Sequence, residues 1–247
     1  MKKAVFASAM IIAAALSVTA AAECTDYYIM RKKDHERPTL DAPLSYLCDH
    51  NACYLGKDEK VIYLTFDAGY ENGNVERIVD ILDKHGAKGT FFVLDNIIRR
   101  NTDLMIKMAN SGHTVANHSV HHKNMTLLTD EQIEMELTGL ESVYRELTGK
   151  TMAKFFRPPE GKFNEHLLDC VSALGYKTVF WSFAYADWDN NKQPSLQYAR
   201  DLILSNTHNG EIILLHPTSE TNAKILDGLL TEWEKMGYRF GLLDEIV

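Results

Sequence analysis

VIYLTFDAGYENGNVERIVDILDKHGAKGTFFV, residues 61–93, contains one full period of the pattern that sets the fold. Val61 to Phe66 is a short β-rich run, Val75 to His85 carries a helical pattern, Gly86 ends it, and Thr90 to Val93 is β-rich again. The rhythm continues downstream. Strands are expected at His113 to Asn117, Lys154 to Arg157, Lys177 to Trp181, Glu211 to His216 and Arg239 to Leu242, seven in all. Between them, helices are expected at Asp103 to Asn110, Asp130 to Thr148, Glu165 to Leu174, Ser195 to Ser205 and Ala223 to Met236. Four helices stop at a glycine that leads straight into the next strand: Gly86, Gly112, Gly175 and Gly237. That is the left-handed C-terminal cap, repeated. Strand alternating with helix argues for parallel strands joined by helical crossovers in a single α/β domain over residues 61–247. A barrel and a wide open sheet both satisfy the count.

Upstream of residue 61 the pattern is lost. Lys2 and Lys3 precede an Ala-rich apolar stretch from Ala4 to Val18, followed by small residues through Ala22, so residues 1–22 read as a signal peptide. The length of Ala4 to Ala22 leaves an uncleaved membrane anchor as the alternative. Cleavage predicts a secreted or cell-wall-associated protein. Lipidation at Cys24 is excluded by Glu23, which stands where a lipobox needs a small residue. Residues 23–60, with Pro38 and Pro43, read as an extended N-terminal segment packed on the main domain. Export makes Cys24, Cys48, Cys53 and Cys170 candidates for disulfides. A local Cys48–Cys53 bridge across DHNA is the simplest pairing, with Cys170 a buried free thiol in a helix.

Composition removes whole classes of function. Of 247 residues, 45% are hydrophobic and 24% charged, which suits an ordinary globular core. The net charge is −8, and loss of Lys2 and Lys3 makes it more negative. Such a chain gains little from phosphates, so no nucleic-acid partner is expected. TGKT at Thr148 to Thr151 lacks a phosphate loop's first glycine, since Tyr144 occupies that position, and there is no GxGxxG or GxSxG. Nucleotide chemistry and serine hydrolysis drop away.

In parallel α/β folds the active site forms at the C-terminal ends of the strands. Asp67 follows the first strand, His118 and His122 the third and Asp187 the fifth, while Arg157 and His216 end the fourth and sixth. A lone strand-end Asp is usually a turn or capping residue; the coincidence of five such places is what points to a site. His118 and His122 in NHSVHH stand four apart, and one helical turn would aim both imidazoles at a single divalent metal ion. His121 is then second to them or solvated. The remaining histidines, His166 among them, are assigned no function. Arg157 opens RPPEG, whose prolines fix a guanidinium able to orient a carboxylate. Trp181 is expected as packing, and Trp188 as a substrate contact.

TFDAG at Thr65 to Gly69, HSVHH at His118 to His122, RPPEG at Arg157 to Gly161, ADW at Ala186 to Trp188 and ILLH at Ile213 to His216 resemble, in order and spacing, the polysaccharide deacetylase family with its NodB-like domain. The resemblance runs from residue 60 to the end. More narrowly, YLTFDAGYENG, FWSFAYADW and LLHPTSETNA resemble the peptidoglycan N-acetylmuramic acid deacetylases that prepare muramic-δ-lactam in spore cortex. The resemblance implies a distorted (β/α) barrel and metal-assisted removal of acetyl from an N-acetyl sugar. It makes Asp67 the base, Arg157 its orienting partner, His118 and His122 the ligands of a divalent ion, zinc by expectation, His216 the acid and Asp187 its partner. Ala68 departs from the pattern, because the family usually places an acidic third ligand there. The implied partner is the peptidoglycan glycan strand after an amidase has removed its stem peptide; no stable protein partner is inferred. N-acetylglucosamine deacetylation of peptidoglycan or chitin oligomers is the alternative, and an inactive glycan-binding domain is the second.

Overall fold

The computed structural model describes residues 24–32 and 34–246. Its strands are β1 (Thr25–Asp26), β2 (Ala52–Cys53), β3 (Val61–Ala68), β4 (Thr90–Val93), β5 (Thr114–Asn117), β6 (Phe155–Phe156), β7 (Lys162–Phe163), β8 (Lys177–Val179), β9 (Glu211–Leu215) and β10 (Arg239–Gly241). Its α-helices are α1 (Asn74–Lys84), α2 (Asp95–Arg100), α3 (Thr102–Asn110), α4 (Asp130–Thr148), α5 (Glu165–Ala173), α6 (Leu196–Asn206) and α7 (Glu220–Lys235).

All seven expected strands lie in one wholly parallel sheet, ordered β9-β3-β4-β5-β6-β8 with β10 beside the first half of β3. An eighth strand, β2, extends the far edge by pairing with β8. The sheet curls until its edges touch at two isolated pairs, Phe183 with Ile213 and Leu55 with Glu211. The architecture is therefore a distorted barrel and not a wide open sheet.

Strand periodicity explains where the site falls. β3 is buried along nearly its whole length, as a strand covered on both faces must be. Ile62, Leu64, Phe66 and Ala68 join the outer apolar layer with Val75, Ile78 and Leu82 of α1 and Leu229 and Trp233 of α7. Val61 and Tyr63 join the barrel interior with Phe92, Ala116, Val179 and Ile212. Alternation then carries Thr65 and Asp67 onto the interior face, the last of them at the barrel mouth. The four helix-ending glycines all adopt positive φ, between 64° and 84°.

Differences from the sequence reading have local causes. α2 was not expected, since its six residues are too few to show a period. β8 stops at Val179 because the carbonyls of Val179 and Phe180 accept from Arg157 instead of continuing a ladder. Residues 24–60 carry more structure than an extended segment: β1 pairs antiparallel with β7, Ala42–His50 forms a 3-10 helix, and β2 enters the sheet. The Cys48–Cys53 bridge is not formed, and all four cysteines are free. Cys48 ends on the exposed side of the 3-10 helix while Cys53 is held in β2 by its pairing with Val179. Cys170 is free as expected, but half-buried rather than buried. No helix among the described residues is long and apolar enough to cross a membrane. Residues 1–22, read as a signal peptide, lie outside the described residues.

Candidate active site

Arg157 is the hub. It is fully buried, a costly place for a charge unless every donor is used. Its Nε donates to the Val179 carbonyl at 3.0 Å, Nη2 to Thr65 Oγ1 at 2.9 Å and the Phe180 carbonyl at 3.2 Å, and Nη1 to Asp67 Oδ1 at 2.8 Å. The guanidinium also lies over the Phe92 ring, 4.2 Å from its centroid. A cation with five fixed contacts positions a carboxylate without moving itself. Burial pushes the Asp67 carboxyl pKa upward, but the charge on Arg157 and its hydrogen bond, helped by His216, more than offset this and hold it below the usual range. Asp67 is an anion at neutral pH.

His118 follows β5 and is almost fully buried. Its Nδ1 sits 2.8 Å from the Arg157 carbonyl, an oxygen that can only accept, so Nδ1 carries the proton. Nε2 is left with a lone pair, 3.6 Å from Asp67 Oδ2. Burial, reinforced by His122 and Arg157, brings the His118 pKa down to about 4, so the ring is neutral. The His122 ring stands edge-on to it with centroids 5.0 Å apart.

The two rings converge, but not on a helix. Residues 118–122 form a loop in which Ser119 and His122 adopt φ of 72° and 55°. Asn117 makes this loop: its Oδ1 accepts from the Ser119 N–H, its Nδ2 donates to the Leu137 carbonyl, and Ser119 Oγ accepts from the His122 N–H. Glu136 of α4 fastens the other side, accepting from the His121 N–H at 2.9 Å and lying 2.8 Å from His121 Nδ1. His121 thus anchors the loop to α4.

Across the mouth, Asp187 and His216 form the second pair. His216 Nδ1–H donates to Asp187 Oδ1 at 2.7 Å, and the His216 N–H donates to Oδ2 at 2.8 Å. Asn222, in the first turn of α7, donates to the same Oδ2 at 2.6 Å and is itself held by the Tyr185 hydroxyl. Burial disfavours charge on His216, but the Asp187 hydrogen bond and charge prevail and raise its pKa from the ordinary imidazole value, which favours the protonated ring. Nε2 is left as a proton donor toward the cavity.

The cavity between the pairs has a volume of about 650 Å³ and is lined by Asp67, His118, His122, Glu160, Trp181, Trp188 and His216 among others. Trp188 is 61% exposed with its ring 6.1 Å from that of His216, placed as an open wall. Trp181 is half-buried against Tyr27 and still reaches the cavity. Asp67, His118, His122, Trp188 and His216 thus line one cavity, with Arg157 and Asp187 buried directly behind Asp67 and His216. Sequence reasoning missed Thr65, Asn117, Glu136 and Asn222, which touch the site only through other residues. Asn117 beside His118, and Asn222 within LLHPTSETNA, were the available signals.

Two imidazoles, one with its lone pair fixed toward a carboxylate, are a donor set suited to a zinc-like divalent ion. Ala68 belongs to the outer apolar layer, so the carboxylate beside these rings is Asp67 itself.

The family model for polysaccharide deacetylase matches residues 55–179. Peptidoglycan-N-acetylmuramic acid deacetylase PdaA of Bacillus subtilis strain 168 is 41% identical over 219 residues, 88% of this chain and 83% of that protein. This chain belongs to the polysaccharide deacetylase family. The structure of B. subtilis PdaA, a family 4 carbohydrate esterase, superimposes with a TM-score of 0.87 over 91% of this chain and 97% of that one, at 40% identity. A peptidoglycan-N-acetylglucosamine deacetylase of Bacillus cereus is 28% identical over 195 residues, 77% of this chain and 89% of that protein. As a polysaccharide deacetylase the chain is a hydrolase acting on an amide bond.

Proposed function

We propose that this polysaccharide deacetylase is a secreted, divalent-metal-dependent enzyme that removes acetyl from N-acetylmuramic acid of peptidoglycan, on the route to muramic-δ-lactam. Its substrate is the glycan strand freed of stem peptide by an amidase. The observation that carries the reaction is the placement of two oppositely tuned pairs on one cavity: Asp67 held anionic by Arg157, and His216 held protonated by Asp187.

Amide hydrolysis needs help at both ends, because water attacks slowly and an amine leaves poorly unless protonated. Asp67 takes a proton from the attacking water. His216 gives one from Nε2 to the departing sugar nitrogen, and acetate is released. Arg157 keeps Asp67 aimed, and Asn222 does the same for Asp187. A divalent ion, bound by His118 and His122 beside Asp67, would polarise the acetyl carbonyl and acidify the water. Trp188 offers a face for a sugar ring.

The choice of muramic acid is supported by the similarity to PdaA over most of both chains. The N-acetylglucosamine reading has the B. cereus relative in its favour. Acetate release from stem-free glycan strands and from chitin oligomers, each with and without chelator, separates the readings. Activity on the strands that chelator abolishes supports the proposal; greater kcat/KM on chitin oligomers favours the alternative, and no acetate from either leaves the inactive binding domain.

A further inference from the structure

In the outer helical layer, apart from the residues that line the cavity, three unlike donors meet. His166 and Cys170 stand four apart on α5, which puts them on one face of the helix. Asp130 is the first residue of α4, where a capping box between Thr129 and Gln132 fixes its backbone. Its Oδ1 lies 3.1 Å from His166 Nε2, and Cys170 Sγ lies 3.8 Å from that ring's nitrogens. All three donor atoms fall within 4.8 Å of one another.

We propose that Asp130, His166 and Cys170 bind a zinc-like divalent cation that clasps α4 to α5. The spacing is the first reason. Ligand atoms around a tetrahedral zinc are roughly 3.3–3.7 Å apart, as follows from bonds of about 2.0–2.2 Å to nitrogen or oxygen and about 2.3 Å to sulfur. Two of the three edges, at 3.1 and 3.8 Å, bracket that length and the third is within 4.8 Å, so closure on an ion needs the side chains to draw together. Donor type is the second. One sulfur, one imidazole and one carboxylate select a borderline-soft ion over magnesium or calcium, which take oxygen. Cys170 is not consumed in a disulfide, and the partial exposure of the group leaves room for a water as fourth ligand.

The clasp has a structural meaning. α4 carries Glu136, which anchors His121 beside the catalytic mouth, and α5 follows the RPPEG segment. An ion there braces both supports without touching substrate. The inference is independent of the deacetylase chemistry, and turnover survives its loss.

Cobalt(II) titration of the reduced full chain tests it. Wild type develops a sulfur-to-cobalt charge-transfer band that is complete by two equivalents, one for the mouth and one for the clasp. The double variant His118→Ala/His122→Ala keeps the band; Cys170→Ser abolishes it, and His166→Ala weakens the affinity at least tenfold. In a parallel readout, zinc raises the Tm of His118→Ala/His122→Ala and not of the same variant carrying Cys170→Ser in addition, while wild type and Cys170→Ser, both loaded at the mouth, deacetylate at the same rate. Absence of the band in wild type, or its survival in Cys170→Ser, overturns the proposal.

Discussion

At the scale of single residues, the proposed mechanism depends on two ionisable groups whose charge is set by their partners, Asp67 by Arg157 and His216 by Asp187. Asp67→Asn removes the base and His216→Ala the acid, and each is expected to lower kcat by at least about 10²-fold with an unchanged circular dichroism spectrum. Asp187→Asn tests the tuning itself. Activity requires His216 protonated, so it falls as pH rises through the His216 pKa, which Asp187 raises. Without that carboxylate, the basic limb of the kcat profile moves to lower pH; an unmoved limb removes Asp187 from the mechanism. Arg157→Leu strands the Asp67 carboxylate in a buried pocket without its cation, at a cost of about 3–5 kcal/mol, read by denaturant unfolding. Most of these residues could be read from the sequence because strand-end position and chemical type coincide. Thr65 could not, since a threonine in a strand is an ordinary choice for backbone reasons alone.

Among the elements, the loop at 118–122 shows how a correct spacing arises by another route. HxxxH suggests a helical turn, yet Ser119 and His122 take left-handed backbone conformations and the rings converge through a loop. What holds them is Asn117 on one side and Glu136, fifteen residues beyond His121, on the other. A contact between a loop and a distant helix leaves no periodic trace, so it was invisible in the chain. Glu136→Gln is expected to weaken metal affinity about tenfold while leaving the fold intact, measured by isothermal titration. An affinity equal to wild type would show that the loop holds its shape without α4. The short α2 and two-residue β2 were unreadable for a simpler reason: six residues at the helical period and two at the strand period each contain less than two periods.

For the whole molecule, the repeating strand, helix and glycine announced a parallel α/β domain, but closure was decided by pieces with no rhythm. Leu55 and Phe183 each make one bridge to β9, and β1 braces β7 under the mouth. Tyr27 shows the consequence. Its ring stacks on Phe180 with centroids 4.3 Å apart, its hydroxyl donates to the Trp181 carbonyl, and its N–H donates to Gly161 of the RPPEG segment. Tyr27→Ala should therefore lower stability by about 3 kcal/mol or more and raise KM as Trp181 and Gly161 lose their support. The central claim, however, concerns the bond that is broken and the sugar that bears it. Mass spectrometry of stem-free glycan strands before and after incubation reads both, by loss of one acetyl group and by fragmentation that places the loss. The account predicts loss from the muramic residue, and none with Asp67→Asn. Loss confined to glucosamine, or no loss with metal-loaded enzyme, would contradict it.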